Sequence, residues 1–445
     1  MLKEGSSSLK RARFLLLSIY VILVLSPVIM RTVLGIPGGF SLIHEAGLLL
    51  GLTGFAMLML QPVIASRAGW LEHPFGLDRL IRFHRGTGIA AVILLILHPV
   101  LLAVSFGSSR LLLAMDLPWF LLIARATLLV MVLFGAAAAF RAGLRIPFQL
   151  WFRMHSGLTP LLMAGAFLHS YFFAISGNPL PMRLLWFVLL GLGLFSWLHL
   201  VLVKRLGGRL KAFTVTDVRQ IAERVWNITL EAPGGGSGID YLPGQFLFIT
   251  LLRGRGLPAE EHPFTISSSP SRGASLSITP KELGDYTTTL GETKKGDRAA
   301  VMAPFGRFSH LLHDESGPLV FIAGGIGITP FISMLRFMED SQNRPEVRLI
   351  YCSRDEGGIA FRRDIQAMEE NGAWLRTTHV LSRPEPSWTG ETGRLSRELL
   401  DRLLSEPASS RHFICGPPPM MNAAVSILKG MGVPEDRIHT ERFAL

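Results

Sequence analysis

Up to about residue 203 the chain is a succession of apolar runs, each near the ~20 residues a helix needs to cross the hydrocarbon core of a bilayer. Two of these runs carry histidines at the same spacing. FHRGTGIAAVILLILHPVLL holds His84 and His98, and MHSGLTPLLMAGAFLHSY holds His155 and His169. Fourteen residues of helix turn through about 1,400°, some 40° short of four full turns, and rise about 21 Å. Each pair therefore lies on one helix face at two depths. That constraint, repeated in two runs, restricts the fold more than any other feature of the sequence.

Six runs can be marked, near residues 14–34, 41–65, 86–106, 118–140, 148–173 and 184–203. The first follows the basic stretch KRARF. Its apolar part is too long for a signal peptide and no clear small-residue cleavage site follows, so it reads as a span. Basic residues gather at every second connection: Lys3, Lys10, Arg11 and Arg13; Arg67, Arg79, Arg82 and Arg85; Arg141, Arg145 and Arg153; Lys204, Arg205, Arg209 and Lys211. The other side has only Arg31, Arg110 and Arg183. The basic side faces the cytoplasm. Both termini and everything after the sixth span are thus expected inside, in a multi-pass protein of the cell membrane. Many of the residues behind the net charge of +11 flank spans, and aromatic–basic clusters are missing, so nucleic acid is not an expected partner.

With this orientation the third and fifth spans run parallel, from inside to outside. His84 can then face His155 near the inner surface, and His98 can face His169 nearer the outer one. Two imidazoles at one depth suit the axial positions of a haem iron, and two such pairs would hold two haems about 20 Å apart. A lone intramembrane histidine is more often a hydrogen-bonded helix contact or part of a proton path. Four at one spacing on two parallel spans are hard to obtain that way. His44, His73 and His199 have no such arrangement. Arg125, roughly 10 Å in from the outer end of the fourth span at helical rise, needs a partner, and a propionate of the outer haem is the expected one.

Beyond residue 211 the patterning changes to that of a water-soluble protein. AFTVTDVRQ, RVWNITLEAP and FLFITLL read as strands separated by turns such as APGGG and LPGQ, a small antiparallel barrel reaching about His313. From Pro318, strands PLVFIAGG, VRLIYCSR and RHFICGP alternate with helices such as FISMLRFMED, the pattern of a parallel α/β sheet. In VFIAGGIGITPFISML, Gly324, Gly325 and Gly327 follow a strand and open a helix, which suits close approach of a phosphate; alone the signal is weak. The two cysteines, Cys352 and Cys415, cannot supply the four thiolates of an iron–sulfur cluster. A disulfide framework is absent, as a cytoplasmic location would have it.

HPFTISSSP, GDYT, AGGIGITP, ICGPPPMM and a C-terminal ERF occur in that order. This resembles the ferredoxin-NADP reductase-like flavoprotein module. Preceded by two His-x13-His spans, the whole is similar to the ferric reductase and NADPH oxidase superfamily over roughly residues 41–445. The resemblance implies an all-α six-helix transmembrane bundle over 1–205, an antiparallel β-barrel FAD domain over 206–313 and an α/β NAD(P) domain over 314–445. It implies that His262, Pro263, Phe264 and Thr265 bind the flavin, Thr265 by a hydrogen bond to the isoalloxazine. Gly284, Tyr286 and Thr287 would meet the FAD pyrophosphate, with Lys281 adding charge. Gly324, Gly325, Gly327 and Thr329 would form the pyridine-nucleotide phosphate loop. Cys415, Gly416 and Pro417 would lie by the nicotinamide, and Phe443 would cover the flavin face.

Arg354, just after the strand RLIYCS, is placed to pair with a 2′-phosphate, with Arg362 and Arg363 assisting; this favours NADPH slightly and leaves NADH open. The implied activity is transfer of electrons from cytoplasmic NAD(P)H through FAD, then singly through an inner haem (His84, His155) and an outer haem (His98, His169) to an acceptor outside. With both axial sites filled, oxygen reduction would be outer-sphere. The external connections near 35–40, 107–117 and 175–182 are short, which favours a small acceptor such as oxygen or ferric iron over a dedicated chelate-binding domain. Donation to a quinone or to a redox partner protein stays open. No Asp-rich calcium loop precedes the first span, so activity is expected without calcium.

Overall fold

Long apolar segments become helices in lipid because a helix satisfies its own backbone polar groups. The computed structural model describes residues 6–36, 41–141, 143–175, 179–206, 210–235, 238–313 and 317–442. It divides into two compact units that part between Gly207 and Gly208. In the first lie α1 (Ser6–Val33), α2 (Leu42–Ala65), α3 (Gly69–Phe75), α4 (Leu77–Ser105), α5 (Arg110–Leu113), α6 (Trp119–Ala139), α7 (Phe148–Ile175) and α8 (Leu180–Leu206). Among the described residues α1, α2, α4, α6 and α8 are long and apolar enough to cross a membrane. The expectation of six apolar spans is thus met by five. The remaining candidate, α7, is 28 residues long. Its polar residues, His155, Ser156, Thr159, His169, Ser170 and Tyr171 among them, dilute its hydropathy.

Glycines let this unit close up, as small residues do where membrane helices touch. A Cβ on Gly54 would stand 2.8 Å from Leu95, one on Gly165 would stand 2.1 Å from Thr127 Oγ1, and one on Gly193 would stand 2.4 Å from the Met59 carbonyl. Phe55, Met59, Met163, Phe167, Trp186 and Leu189 fill the centre. Val104, Leu129, Leu133, Leu161 and Phe195 point outward and are exposed, an arrangement suited to lipid. Helix α4 packs chiefly on α2, and α7 on α6 and α8; α4 and α7 do not rest on each other to any comparable extent.

The second unit contains two sheets. β1 (Leu210–Ala222), β2 (Val225–Glu231), β3 (Phe246–Leu252), β4 (Glu261–Thr265), β5 (Ser275–Ile278) and β6 (Arg298–Phe305) form an antiparallel sheet in the order β4-β3-β6-β1-β2-β5. A short helix α9 (Asp285–Thr288) lies between β5 and β6. The two edges of the sheet approach through one bridge, Ile266 to Ile278, and the Ser267 amide donates to the Ser277 carbonyl at 2.8 Å. The sheet's two edges thus meet only over this short contact, the partner strand β5 being four residues long. Pro263 sits on the edge strand β4, where a missing N–H breaks no internal ladder.

The parallel sheet holds β7 (Leu319–Gly324), β8 (Val347–Ser353), β9 (Leu375–Leu381), β10 (Glu391–Thr392), β11 (Arg411–Cys415) and β12 (Ile438–Glu441) in the order β10-β9-β8-β7-β11-β12. Helices α10 (Thr329–Asp340), α11 (Arg362–Glu370), α12 (Arg397–Leu403) and α13 (Pro418–Gly430) connect them. Both faces of β7 are covered. Phe321 and Ala323 join one core with Phe331, Leu335 and Phe413, while Val320 and Ile322 join another with Leu400, Ile414 and Leu428. That explains the unbroken apolar run LVFIA, which no alternation interrupts. The two sheets are tied together by α10: Ser333 donates to the Ser268 carbonyl at 2.7 Å and Arg336 to the Ser267 carbonyl at 2.9 Å.

Candidate functional site

Three groups of predicted residues come together, one in the first unit and two in the second. In the first, the rings of His84 and His155 lie 6.1 Å apart between centres, and those of His98 and His169 lie 6.4 Å apart. A metal–nitrogen bond of about 2.0 Å on each side, with about 1.1 Å from nitrogen to ring centre, would separate two axial imidazole centres by about 6.2 Å. The residues therefore fit an iron between each pair. The donor set fits haem in particular, because each pair offers two imidazole nitrogens and no carboxylate or thiolate. Among the described residues no group of three or more His, Cys, Asp or Glu could hold a bare metal ion.

The histidines are held differently. His98 Nδ1 lies 2.8 Å from the Gly47 carbonyl. A carbonyl only accepts, so the ring hydrogen is on Nδ1 and Nε2 keeps its lone pair. Gly51 makes this approach possible: a Cβ there would stand 2.5 Å from His98 Nδ1. Two aromatic rings stack near-parallel to His155, Trp151 at 5.1 Å and 15° and Phe134 at 5.5 Å and 18°. His169 Nδ1 is buried without a hydrogen-bond partner among the described residues. Sequence reasoning missed Gly47, Gly51, Phe134 and Trp151; only the G-x-x-x-G in α2, formed by Gly47 and Gly51, could have hinted at two of them. Arg125 finds protein partners, donating to the Leu112 carbonyl at 2.8 Å and to the Ala114 carbonyl. It thereby caps α5, and the remaining donors of its guanidinium are those available to a propionate.

In the second unit the two expected flavin stretches meet. The His262 ring stacks on Tyr286 at 3.9 Å and 18°. His262 also contacts Glu260 at 3.0 Å. Burial pushes the Tyr286 phenol up to about 12, so it stays protonated. Arg253, which the sequence did not single out, lies over that ring at 5.4 Å and donates to Thr289 O at 2.6 Å. Phe264 packs on the sheet core and Thr265 is buried. Thr287 Oγ1 accepts the amides of Leu283 at 2.8 Å and Gly284 at 2.9 Å, so the hydroxyl shapes this turn. A Cβ on Gly284 would meet nothing within 4 Å, which leaves its backbone open to a phosphate. Lys281 is half-buried beside the turn.

The nucleotide residues lie at the C-terminal ends of β7 and β11. There the strand order reverses, the usual ligand crevice of such sheets. The two loops touch backbone to backbone. A Cβ on Gly327 would stand 2.3 Å from the Cys415 carbonyl, and one on Gly416 would stand 2.9 Å from Gly324 Cα. Gly325 adopts φ +54° with open space beside it. Thr329 donates to the Ile326 carbonyl at 3.0 Å and so braces the loop. Pro417 is the N-cap of α13 and Pro418 its first residue, so that helix end is poor in amide donors and suits an uncharged ring better than a phosphate. Cys415 is fully buried in the core, and burial holds its thiol well above the usual range, so it is no thiolate. Arg354 is exposed at the end of β8. Its carbonyl accepts the Arg383 amide at 2.7 Å, which sets a second arginine beside it. Arg362 donates to Glu356 at 2.9 Å. Phe443 lies outside the described residues.

Three family models match consecutive segments: a ferric reductase like transmembrane component over 50–166, an FAD-binding domain over 210–303 and an oxidoreductase NAD-binding domain over 321–426. The stachydrine N-demethylase reductase subunit of Rhizobium meliloti (strain 1021) is 32% identical over 50% of this chain and 63% of its own length. The glycine betaine monooxygenase reductase subunit of Chromohalobacter salexigens is 30% identical over 46% of this chain and 56% of its own. The chain thus spans less than two thirds of these relatives. NADH-cytochrome b5 reductase 1 of Laccaria bicolor is 27% identical over 50% of the chain and 74% of its own. Among solved structures, flavohemoglobin from Malassezia yamatoensis covers 92% of this chain and 100% of its own at 18% identity and a TM-score of 0.52, a likeness of fold alone.

Proposed function

We propose that this chain, a ferric reductase/NADPH oxidase-like fusion with a ferredoxin-NADP reductase-like module, moves electrons across the cell membrane from cytoplasmic NAD(P)H to an acceptor at the outer face. One observation carries the reading: two pairs of histidine rings stand 6.1 and 6.4 Å apart on the same two helices, fourteen residues apart along each. When bound, FAD would take two electrons with the nicotinamide hydride, and two b-type haems would pass them on one at a time.

The chain's own residues position these groups. His84 with His155, and His98 with His169, would hold an inner and an outer haem, with α7 serving as a sixth span. His262, Pro263, Phe264 and Thr265 would line the flavin. Gly284, Tyr286 and Thr287 would shape the pyrophosphate turn, with Lys281 adding charge. Gly324, Gly325, Gly327 and Thr329 would take the nucleotide phosphates, and Gly416 and Pro417 the nicotinamide, over the neutral, buried Cys415. Phe443 would close the flavin face. Arg354, joined by Arg383, would favour NADPH. The basic connections would hold the flavin module in the cytoplasm.

Oxygen, giving superoxide, or ferric iron would be the acceptor. A second reading has a specific support: curated relatives carry names such as reductase subunit, so this chain too would donate to a partner protein or a quinone. The test uses sealed vesicles with NADPH on the module side and oxygen, ferric citrate or quinone on the other, with superoxide detection. Replacing His98→Leu is expected to stop external reduction while NADPH still bleaches the flavin. External reduction that survives the change contradicts the path.

A further inference from the structure

Helix α2 carries its own pair of groups at the histidine spacing. Gly47 and Gln61 are fourteen residues apart, as are His98 and His84 on α4, which packs against α2 along its length. At one end the Gly47 carbonyl accepts the Nδ1–H of His98 at 2.8 Å. At the other, the Gln61 amide lies 2.8 Å from His84 Nδ1 and 3.0 Å from the His84 carbonyl. Gln61 is buried in the otherwise apolar second half of α2, where an amide is costly unless its hydrogen bonds are made.

The two amide orientations correspond to two imidazole tautomers. With nitrogen toward His84, the amide donates to Nδ1 and the ring hydrogen must sit on Nε2, where it blocks a metal. With oxygen toward His84, Nδ1–H donates to it and Nε2 is free. Thr87 favours the second. Its hydroxyl hydrogen goes to the Phe83 carbonyl at 2.8 Å, so toward Gln61 it presents a lone pair, which accepts the amide nitrogen at 3.1 Å. The first orientation would instead satisfy the His84 carbonyl, which otherwise meets the Gln61 oxygen at 3.0 Å, and let the Gly88 amide, 3.3 Å away, donate to the oxygen; without a metal it is the better satisfied of the two. A metal on Nε2 requires the oxygen-inward arrangement, so loading of that site and the orientation of this amide are linked.

We propose that Gln61 is a positioning residue of the inner pair: its amide oxygen holds His84 as the Nδ1–H tautomer and thereby sets the affinity and reduction potential of the haem bound by His84 and His155. The inference rests on the bis-histidine reading given above. A hydrogen bond from Nδ1–H makes the imidazole a stronger donor, which favours ferric over ferrous iron. The outer histidine has a backbone carbonyl in the same role, which substitutions at Gln61 leave in place. The outer haem is therefore an internal control.

The test is redox potentiometry of the purified full chain, following both haems, in Gln61→Met and Gln61→Glu. Met has similar length and accepts no comparable bond; Glu accepts a stronger one. Met is expected to raise the potential of one haem and Glu to lower that same haem, with the other unmoved. A tenfold change in the ferric-over-ferrous preference reads as about 59 mV for a one-electron couple. If Met instead empties one site, as a 10–100-fold loss of metal affinity would do, Glu is expected to refill it, and the emptied site must be the one that His84→Leu empties. A merely structural glutamine gives no opposite signs. Shifts in one direction for both variants, equal shifts of both haems, or no shift overturn the proposal. A wild-type protein without haem would overturn the bis-histidine reading itself, which keeps the two failures apart.

Discussion

Gly51→Ala is the smallest change that reaches the outer histidine. The added Cβ would stand 2.5 Å from His98 Nδ1, 2.8 Å from Cε1 and 2.9 Å from Cγ. Non-bonded heavy atoms settle at about 3.5 Å or more, so the ring must recede by about 1 Å. Its bond to the Gly47 carbonyl, 2.8 Å long, would then stretch beyond hydrogen-bonding reach. Loss of such an outer-shell bond weakens metal binding about 10–100-fold, roughly 1.4–2.8 kcal/mol. The assay is haem per flavin in the purified protein, by pyridine haemochromogen, with Gly157→Ala as control because a Cβ there meets nothing within 4 Å. Gly51→Ala is expected to lose outer haem and external electron transfer, while Gly157→Ala keeps both. Two haems per flavin in Gly51→Ala, with an unchanged spectrum, would refute the packing argument.

Two further predictions concern the second unit. Arg354→Ala together with Arg383→Ala is expected to lower kcat/KM for NADPH at least tenfold, the worth of one charge-assisted hydrogen bond, and to leave NADH nearly unchanged; equal losses for both nucleotides would remove the 2′-phosphate assignment. Burial, with Arg411 nearby, pulls His310 down to about 3 and His313 to about 4. Burial and the neighbouring His313 pull His439 to about 3. Below the ordinary histidine value near 6.5 the unfolded chain therefore binds more protons than the folded one. Stability is full above that value and falls as pH drops toward about 4, by about 1 kcal/mol per histidine at pH 5.5. Flavin release on heating, followed from pH 7.5 to 5.5, checks this. His439→Phe, which preserves the stack on His313 at 3.6 Å, should flatten the dependence.

The parts of the molecule that were legible in the sequence are those written in side chains at a fixed period. Histidines fourteen apart became facing rings, and glycines after an apolar strand became the reversal point of a parallel sheet. What was not legible depends on backbone or on absence. A hydrogen bond to the Gly47 carbonyl leaves no mark on residue type, and Gly51 matters for the atom it lacks. Gln61 is one polar residue in an apolar stretch, and the sequence did not single it out because its partner comes from another helix. Arg125 read as a charge in need of an anion, but helix α5 offered carbonyls that a linear reading could not place beside it. Thr287 read as a residue of the pyrophosphate turn, but that its hydroxyl accepts two amides of that turn is not written in its residue type.

The claim at the centre of this account is that α4 and α7 together hold two haems through four histidines. The most direct measurement is haem content with low-temperature EPR on the purified full chain and on His84→Leu and His98→Leu. The account predicts two low-spin b-type haems per FAD in the wild type and the loss of one, a different one, in each variant. A wild type with one haem or none, or variants that keep both, would contradict it.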